Sequence, residues 1–221
     1  MHTYRVNNIF YSLQGEGRHT GRAAVFVRFA GCNLSCPFCD TEFDTFLDMS
    51  GDDIMQAILH YPTRFAVLTG GEPTLQADGA LVDLLHSHGY TVAMESNGTH
   101  PAPAAIDWLT VSPKSTGGRW KEVAASRMPN ELKVIFDEDT DPEAYLSGLN
   151  IASLHLPHRR NEINEDELLT LNSSLLTLSL QPCDTGDAKR NARITRLCVD
   201  YVKKHPHWSL SLQTHKLIGI E

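Results

Sequence analysis

The sequence predicts an α/β fold, a shortened and partial TIM-type barrel of parallel strands with few helices. Several apolar, β-branched segments end in polar or glycine-rich tips, "TGGEP", "ESNG", "SPK", "QPCD" and "QTHK". In parallel α/β folds the loops at the carboxyl ends of strands converge on one mouth. The segments with helical spacing between them are too few for a complete eight-fold barrel. A cysteine-rich loop after the second strand places a site on the same face.

In chain order, residues 4–13 ("YRVNNIFYSL") and 23–30 ("AAVFVRFA") are rich in β-branched and aromatic residues and read as strands. A helix is expected over 50–61, where Ser50 and Asp53 make a capping-box-like start and Ile54, Ile58 and Leu59 keep helical spacing. The buried strand "RFAVLTGGEP" (64–73) follows, then a helix over 78–89 closed by Gly89. Further strands are expected at 90–98, 108–114, 131–136, 174–182 and 208–216, with a weaker helix at 142–149. A long amphipathic helix at 188–205 puts Leu197, Cys198, Tyr201 and Val202 on its apolar side. Glu131 and Lys133, two residues apart in "NELKVIF", share one strand face and are candidates to pair inside the barrel.

A chain of 221 residues with 41% hydrophobic and 21% charged residues suits one soluble globular domain, taken to span 1–221. No apolar run approaches the length of a membrane span, and the first residues lack a basic flank with an apolar stretch, so neither membrane insertion nor secretion is expected. A net charge of −8 argues against a nucleic-acid partner. Five cysteines, several of them clustered, fit a metal site in a reducing cytoplasm better than a disulfide framework.

That cluster is "GCNLSCPFCD" at 31–40, with Cys32, Cys36 and Cys39 in a C-x₃-C-x₂-C arrangement. A structural zinc site closes with four protein ligands, and an iron–sulfur cluster ordinarily takes four cysteines. The loop offers no fourth. A zinc knuckle completed by a distant histidine or Cys183 remains the alternative; Cys198, on an apolar helix face, reads as a packed thiol.

"CNLSCPFC" followed at a strand tip by "TGGEP" resembles the cluster and cofactor motifs of radical S-adenosylmethionine (SAM) enzymes. In that family the thiolates hold three irons of a [4Fe–4S] cluster and SAM chelates the fourth. The open position is therefore the active site. "SLQGEG", "VRFAGCNLSCPFCDT", "TGGEP", "ESNGT", "VSPK", "LQP" and "SLQTHK", in this order along nearly the whole chain, are similar to the 7-carboxy-7-deazaguanine synthases. The resemblance implies a homodimeric lyase that uses SAM, the cluster, Mg²⁺ and an external one-electron reductant. It would convert 6-carboxy-5,6,7,8-tetrahydropterin to 7-carboxy-7-deazaguanine with loss of ammonia, on the route to queuosine and related 7-deazapurines.

It also implies roles for residues. Phe38, Cys39, Asp40, Gly70, Gly71, Glu72, Ser112, Pro113, Lys114, Gln181, Pro182, Cys183 and Asp184 fall on the SAM side. Glycines at 70 and 71 let backbone approach a ligand closely, and Glu72 is placed to accept from the SAM ammonium. Leu13, Gln14, Gly15, Glu16, Thr69 and His215 fall on the pterin side, and Thr41 matches the Mg²⁺ position. Gln14 and Glu16 offer donors and acceptors that match a pterin edge. Arg28, in an otherwise apolar strand, needs an anion; the substrate carboxylate is one candidate, and an ion pair with Glu16 or Glu72 is the other. Without the resemblance, "TGGEP" is a turn and "SLQGEG" a polar loop. A different radical SAM activity, such as activation of a glycyl-radical partner, and a zinc or redox module without catalysis are the competing functions.

Overall fold

The computed structural model describes residues 2–39, 41–42, 44–116, 119–120, 128–148 and 176–221. Asp40 lies outside these residues, as do the ends of the segments expected at 142–149 and 174–182. The strands are β1 (Thr3–Leu13), β2 (Ala23–Phe29), β3 (Leu47–Ser50), β4 (Phe65–Gly70), β5 (Thr91–Ser96), β6 (Trp108–Val111), β7 (Ser115–Thr116), β8 (Arg119–Trp120), β9 (Glu131–Phe136), β10 (Thr177–Pro182) and β11 (Ser209–Leu210). The helices are α1 (Gly51–Ile58), α2 (Gly79–Ser87), α3 (Pro142–Gly148), α4 (Ala188–Lys204) and α5 (Thr214–Ile218).

All strands but the β7–β8 pair form one sheet, ordered β11-β10-β9-β6-β5-β4-β2-β1-β3. From β2 to β11 every neighbour is parallel and follows chain order. The expected run of parallel strands breaks at one edge, where β1 pairs antiparallel with β2 and β3 antiparallel with β1. The β1–β2 connection is too short for a parallel crossover, which needs about a dozen residues or more. Because β11 and β3 do not pair, the sheet stays open.

The parallel strands bury both faces, which explains their nearly unbroken apolar sequences. Val25, Val27, Leu68, Val92, Met94 and Leu180 meet the outer helices through Ile54 and Ile58 of α1, Leu81, Val82 and Leu85 of α2, and Ile194 and Cys198 of α4. Ala24, Phe26, Phe65, Val67 and Ala93 turn inward with Phe10. The Ser50–Asp53 capping box is present, with Asp53 N donating to Ser50 Oγ and Ser50 N donating to Asp53. Gly89 follows α2 with a φ of 78°.

Two expectations are corrected and one strand is new. The segment 208–216 is not one strand: only Ser209–Leu210 pairs with β10, and the chain then bends so that Thr214 N donates to the Gly15 carbonyl. Strand β3 is an addition, since four residues at an edge carry too little alternation to register in the sequence. Leu197 is 40% exposed, because Ile194 and Cys198 define the face of α4 that meets the sheet.

Candidate active site

A cavity of about 650 Å³ opens at the carboxyl ends of the parallel strands, within the range of roughly 300–1,000 Å³ typical of small-molecule sites. Cys32, Cys36 and Cys39 line it, all as free thiols. Their loop leaves β2 through Gly31 at a φ of 82° and turns where Cys39 N donates to the Cys36 carbonyl. Asn33 ties it across the mouth: its amide donates to Thr99 Oγ1 at 2.7 Å and its Oδ1 accepts from Asn97 at 3.0 Å. Burial holds the Cys32 and Cys36 thiols above their ordinary pKa; backbone N–H groups oppose it at Cys32 and Lys114 opposes it at Cys36, while the neighbouring thiols, and Glu72 at Cys32, add to it.

The donor set fits a [4Fe–4S] cluster. Among the described residues no three His, Cys, Asp or Glu side chains close on a single ion. Cluster thiolates are not required to do so, since each binds its own iron at a different corner of the cube. Phe38 and Thr41 line the cavity beside these thiols, and Phe38 lies 5.9 Å from the Lys114 ammonium.

The glycine motif seats against this loop. Gly71 N donates to the Phe29 carbonyl at 3.0 Å and Glu72 N to the Gly31 carbonyl at 2.9 Å. A Cβ on Gly71 would lie 1.9 Å from the Gly31 oxygen, and one on Gly70, whose φ is 119°, would lie 2.2 Å from the Phe29 oxygen. Gly71 therefore admits the backbone of the cysteine loop, and Gly70 the backbone at the end of β2. Gly71→Ala should push that loop outward, lowering stability by about 1–3 kcal/mol and reducing iron retained after anaerobic reconstitution. Normal iron content in the variant would contradict this account.

Glu72 is corrected. It is fully buried and does not line the cavity; its Oε1 accepts from Thr74 N, Thr74 Oγ1 and Ser96 Oγ, and its Oε2 from Asn97 N at 2.7 Å. A carboxylate so engaged joins the tips of β4 and β5. It acts through Ser96 and Asn97, which do line the cavity. Pro113 is likewise buried behind the lining, while its neighbours Ser112 and Lys114 face it.

The "QGEG" loop folds into the barrel. Its ends are fixed where Gln14 N donates to the Arg22 carbonyl and Gly21 N to the Gln14 carbonyl. Inside, Gln14 Nε2 donates to Glu95 at 3.2 Å, and Lys133 bridges Glu16 and Glu95, the latter at 2.9 Å. Burial opposes the charge on Glu16, but Lys133 and the amide of Gln213, 2.9 Å away, outweigh it and bring the carboxyl down to about 2. Lys133 is held above its ordinary pKa by its two carboxylates despite burial. Burial raises Glu95, with the charges of Glu16 and Glu131 adding to it against Lys133. Glu131 shares the inner face with Lys133 but does not pair with it. It accepts instead from Arg18 N at 3.0 Å and Ser179 Oγ at 2.6 Å, pinning the loop to β9.

The remaining anticipated residues also border the cavity: Leu13, Gly15, Thr69, Gln181, Pro182, Cys183, Asp184 and His215. A Cβ on Gly15 would meet His215 Nδ1 at 2.1 Å, so that glycine admits the ring. Asp184 accepts from Lys216 Nζ at 2.7 Å, a bond that helps lower its carboxyl to about 2. Arg28 lies over the Phe10 ring at 4.6 Å and pairs with neither Glu16 nor Glu72; its partner is Glu221, at 3.7 Å. Sequence reading missed Glu95, Asn97 and Gln213. A lone carboxylate in the apolar "YTVAME" run was the available signal for Glu95.

Comparison with known proteins places the chain in a family. The radical SAM superfamily pattern matches residues 26–116, which hold the cysteine loop, the glycine motif and "SPK". The 7-carboxy-7-deazaguanine synthase of Bacteroides thetaiotaomicron is 43% identical, covering 98% of each chain, and that of Bordetella pertussis is 42% identical, covering 98% of this chain and 99% of the relative. The crystal structure of QueE from Escherichia coli superimposes with a TM-score of 0.72 at 28% identity, over 95% of this chain and 93% of that one. Fold, cysteine loop and pattern define a radical SAM enzyme, with the [4Fe–4S] cluster and SAM that this class uses. Within that class, the chain belongs to the 7-carboxy-7-deazaguanine synthase family.

Proposed function

We propose that this protein is a radical SAM lyase that converts 6-carboxy-5,6,7,8-tetrahydropterin to 7-carboxy-7-deazaguanine with loss of ammonia, in 7-deazapurine biosynthesis. The observation that carries the reading is that one cavity joins the thiols of a single loop to Arg28, Gln14 and Glu16 on its other walls. When bound, the cluster and SAM supply the one-electron chemistry that activates a substrate C–H bond. Cys32, Cys36 and Cys39 hold the cluster, and Gly70, Ser112, Lys114 and Gln181 border the SAM side. Arg28 receives the substrate carboxylate through its paired N–H donors. Gln14 and Glu16, held by Glu95, Lys133 and Gln213, present a rigid polar edge to the pterin, with Thr69 and His215 beside it. Thr41 would offer an oxygen ligand to Mg²⁺, a hard cation that takes oxygen donors and would supply positive charge beside the substrate.

The protein works as a homodimer in the cytoplasm, with an external one-electron donor and without nucleic acid or membrane. No helix among the described residues is long and apolar enough to cross a membrane.

The test is anaerobic incubation with the carboxylated pterin, SAM, Mg²⁺ and a reductant, followed by mass analysis. The deazaguanine product and ammonia are expected. SAM cleavage without either would point to another radical SAM activity, and a single bound zinc with no sulfide to a binding module. Arg28→Lys should keep the cluster spectrum but lower kcat/KM on the order of ten- to a hundred-fold, since it keeps the charge and loses the two-pronged geometry. Unchanged kcat/KM would refute the carboxylate contact.

A further inference from the structure

We propose that Glu221 is the resident counter-ion of Arg28 and a specificity-determining residue, exchanged for the carboxylate of the incoming substrate. The proposal rests on the functional reading above. Arg28 is only 34% exposed at its side chain and stacks on Phe10, so its charge is partly removed from water and needs an anion. The nearest is Glu221, whose Oε1 stands 3.7 Å from Arg28 Nη1 and accepts from Asn8 Nδ2 at 2.8 Å. Both Arg28 and Glu221 line the cavity.

The segment that carries Glu221 is fixed in place. Thr214 N and Oγ1 both donate to the Gly15 carbonyl at 2.9 Å, and Gln213 and Lys216 hold Glu16 and Asp184. Ser12 Oγ donates to a main-chain oxygen of Glu221. The carboxylate is thus delivered to Arg28 by a strap rather than by chance approach.

The pair is loose. At 3.7 Å it lies beyond hydrogen-bond range, and among the described residues the guanidinium makes no hydrogen bond. A substrate carboxylate that takes two N–H donors at once therefore outcompetes it. Two carboxylates on one guanidinium repel, so Glu221 withdraws as the substrate binds. Its presence weakens the carboxylated ligand and leaves a pterin without a carboxylate untouched.

The test uses the reconstituted, SAM-loaded protein without reductant, so that binding does not proceed to turnover, and reads Kd by calorimetry. Glu221→Gln should bind 6-carboxytetrahydropterin about two- to five-fold more tightly, the span a half-exposed ion pair commands. Tetrahydropterin lacking the carboxylate should bind both proteins equally. Asn8→Ala, which loosens the hold on Glu221, should move the carboxylated ligand in the same direction by less. Binding by the unaltered protein with equal or weaker binding by Glu221→Gln would overturn the exchange alone. No binding of the carboxylated pterin to the unaltered protein would overturn the functional reading and the exchange together.

Discussion

Cys36→Ala should give a folded protein that holds no [4Fe–4S] cluster and makes no product. Cys36 is part-exposed in a loop outside both apolar clusters of the fold, so removing its sulfur leaves the packing intact. The chemical loss is total, because the loop supplies one thiolate per iron and has none to spare. Cys198→Ala is the matched control. Cys198 is fully buried in the core, where its Sγ faces the Leu180 carbonyl at 3.9 Å and burial pushes its thiol up to about 12. Its truncation should cost about 1 kcal/mol of stability and leave iron content unchanged. Iron and sulfide analysis after anaerobic reconstitution, with circular-dichroism melts, separates the two. A Cys36→Ala protein that keeps its full cluster, or a Cys198→Ala protein that loses it, would overturn the assignment of ligands.

The contrast between these cysteines was legible in sequence because each depends on local pattern. Cys36 belongs to a short spacing, and Cys198 to a helical face. The same holds for the Ser50–Asp53 cap and for the strand tips, whose glycines and polar residues mark where apolar strands stop. What was not legible depends on partners far along the chain. Glu72 follows two glycines beside the cavity and reads as a ligand group. Its direction is set by Ser96 and Asn97 on the next strand, which take its oxygens into the core. Arg28 announced its need for an anion, but the anion in the structure is Glu221, brought over by a bend after β11 that no local signal marks. Glu131 and Lys133 share a face as their spacing requires, yet each finds its carboxylate or donor elsewhere, since the inserted loop after β1 brings both Arg18 N and Glu16 inside.

That inserted loop makes Lys133→Met the most damaging change expected away from the cysteines. The Lys133 side chain is 3% exposed and stands between Glu16 and Glu95. Removing the cation leaves two largely enclosed carboxylates, each 20% exposed, with only amide partners, Gln213 on Glu16 and Gln14 on Glu95. Breaking a buried pair from one side costs about 3–5 kcal/mol. The cost should fall with pH, and the sign follows from the shifts. In the unaltered protein Glu16 titrates near 2 against an ordinary 4.5, so its contribution is present above the ordinary value and is lost as pH falls toward the folded one. Lys133, raised, keeps its contribution throughout that range. Glu95, raised by burial, works in the opposite sense and moderates the loss. Without Lys133 both carboxyls prefer to be protonated in the folded state, so acid stabilises the variant relative to its unfolded chain. Urea melts should therefore show the gap to the unaltered protein narrowing from about pH 7.5 to about pH 5. Adding Glu95→Gln should recover part of the stability, because it removes one of the stranded charges. It should not recover product formation, since Glu16 would still lack the cation that fixes the "QGEG" loop against the cavity. A gap that stays constant with pH, or a double variant no more stable than the single one, would show that Lys133 does not hold these carboxylates together.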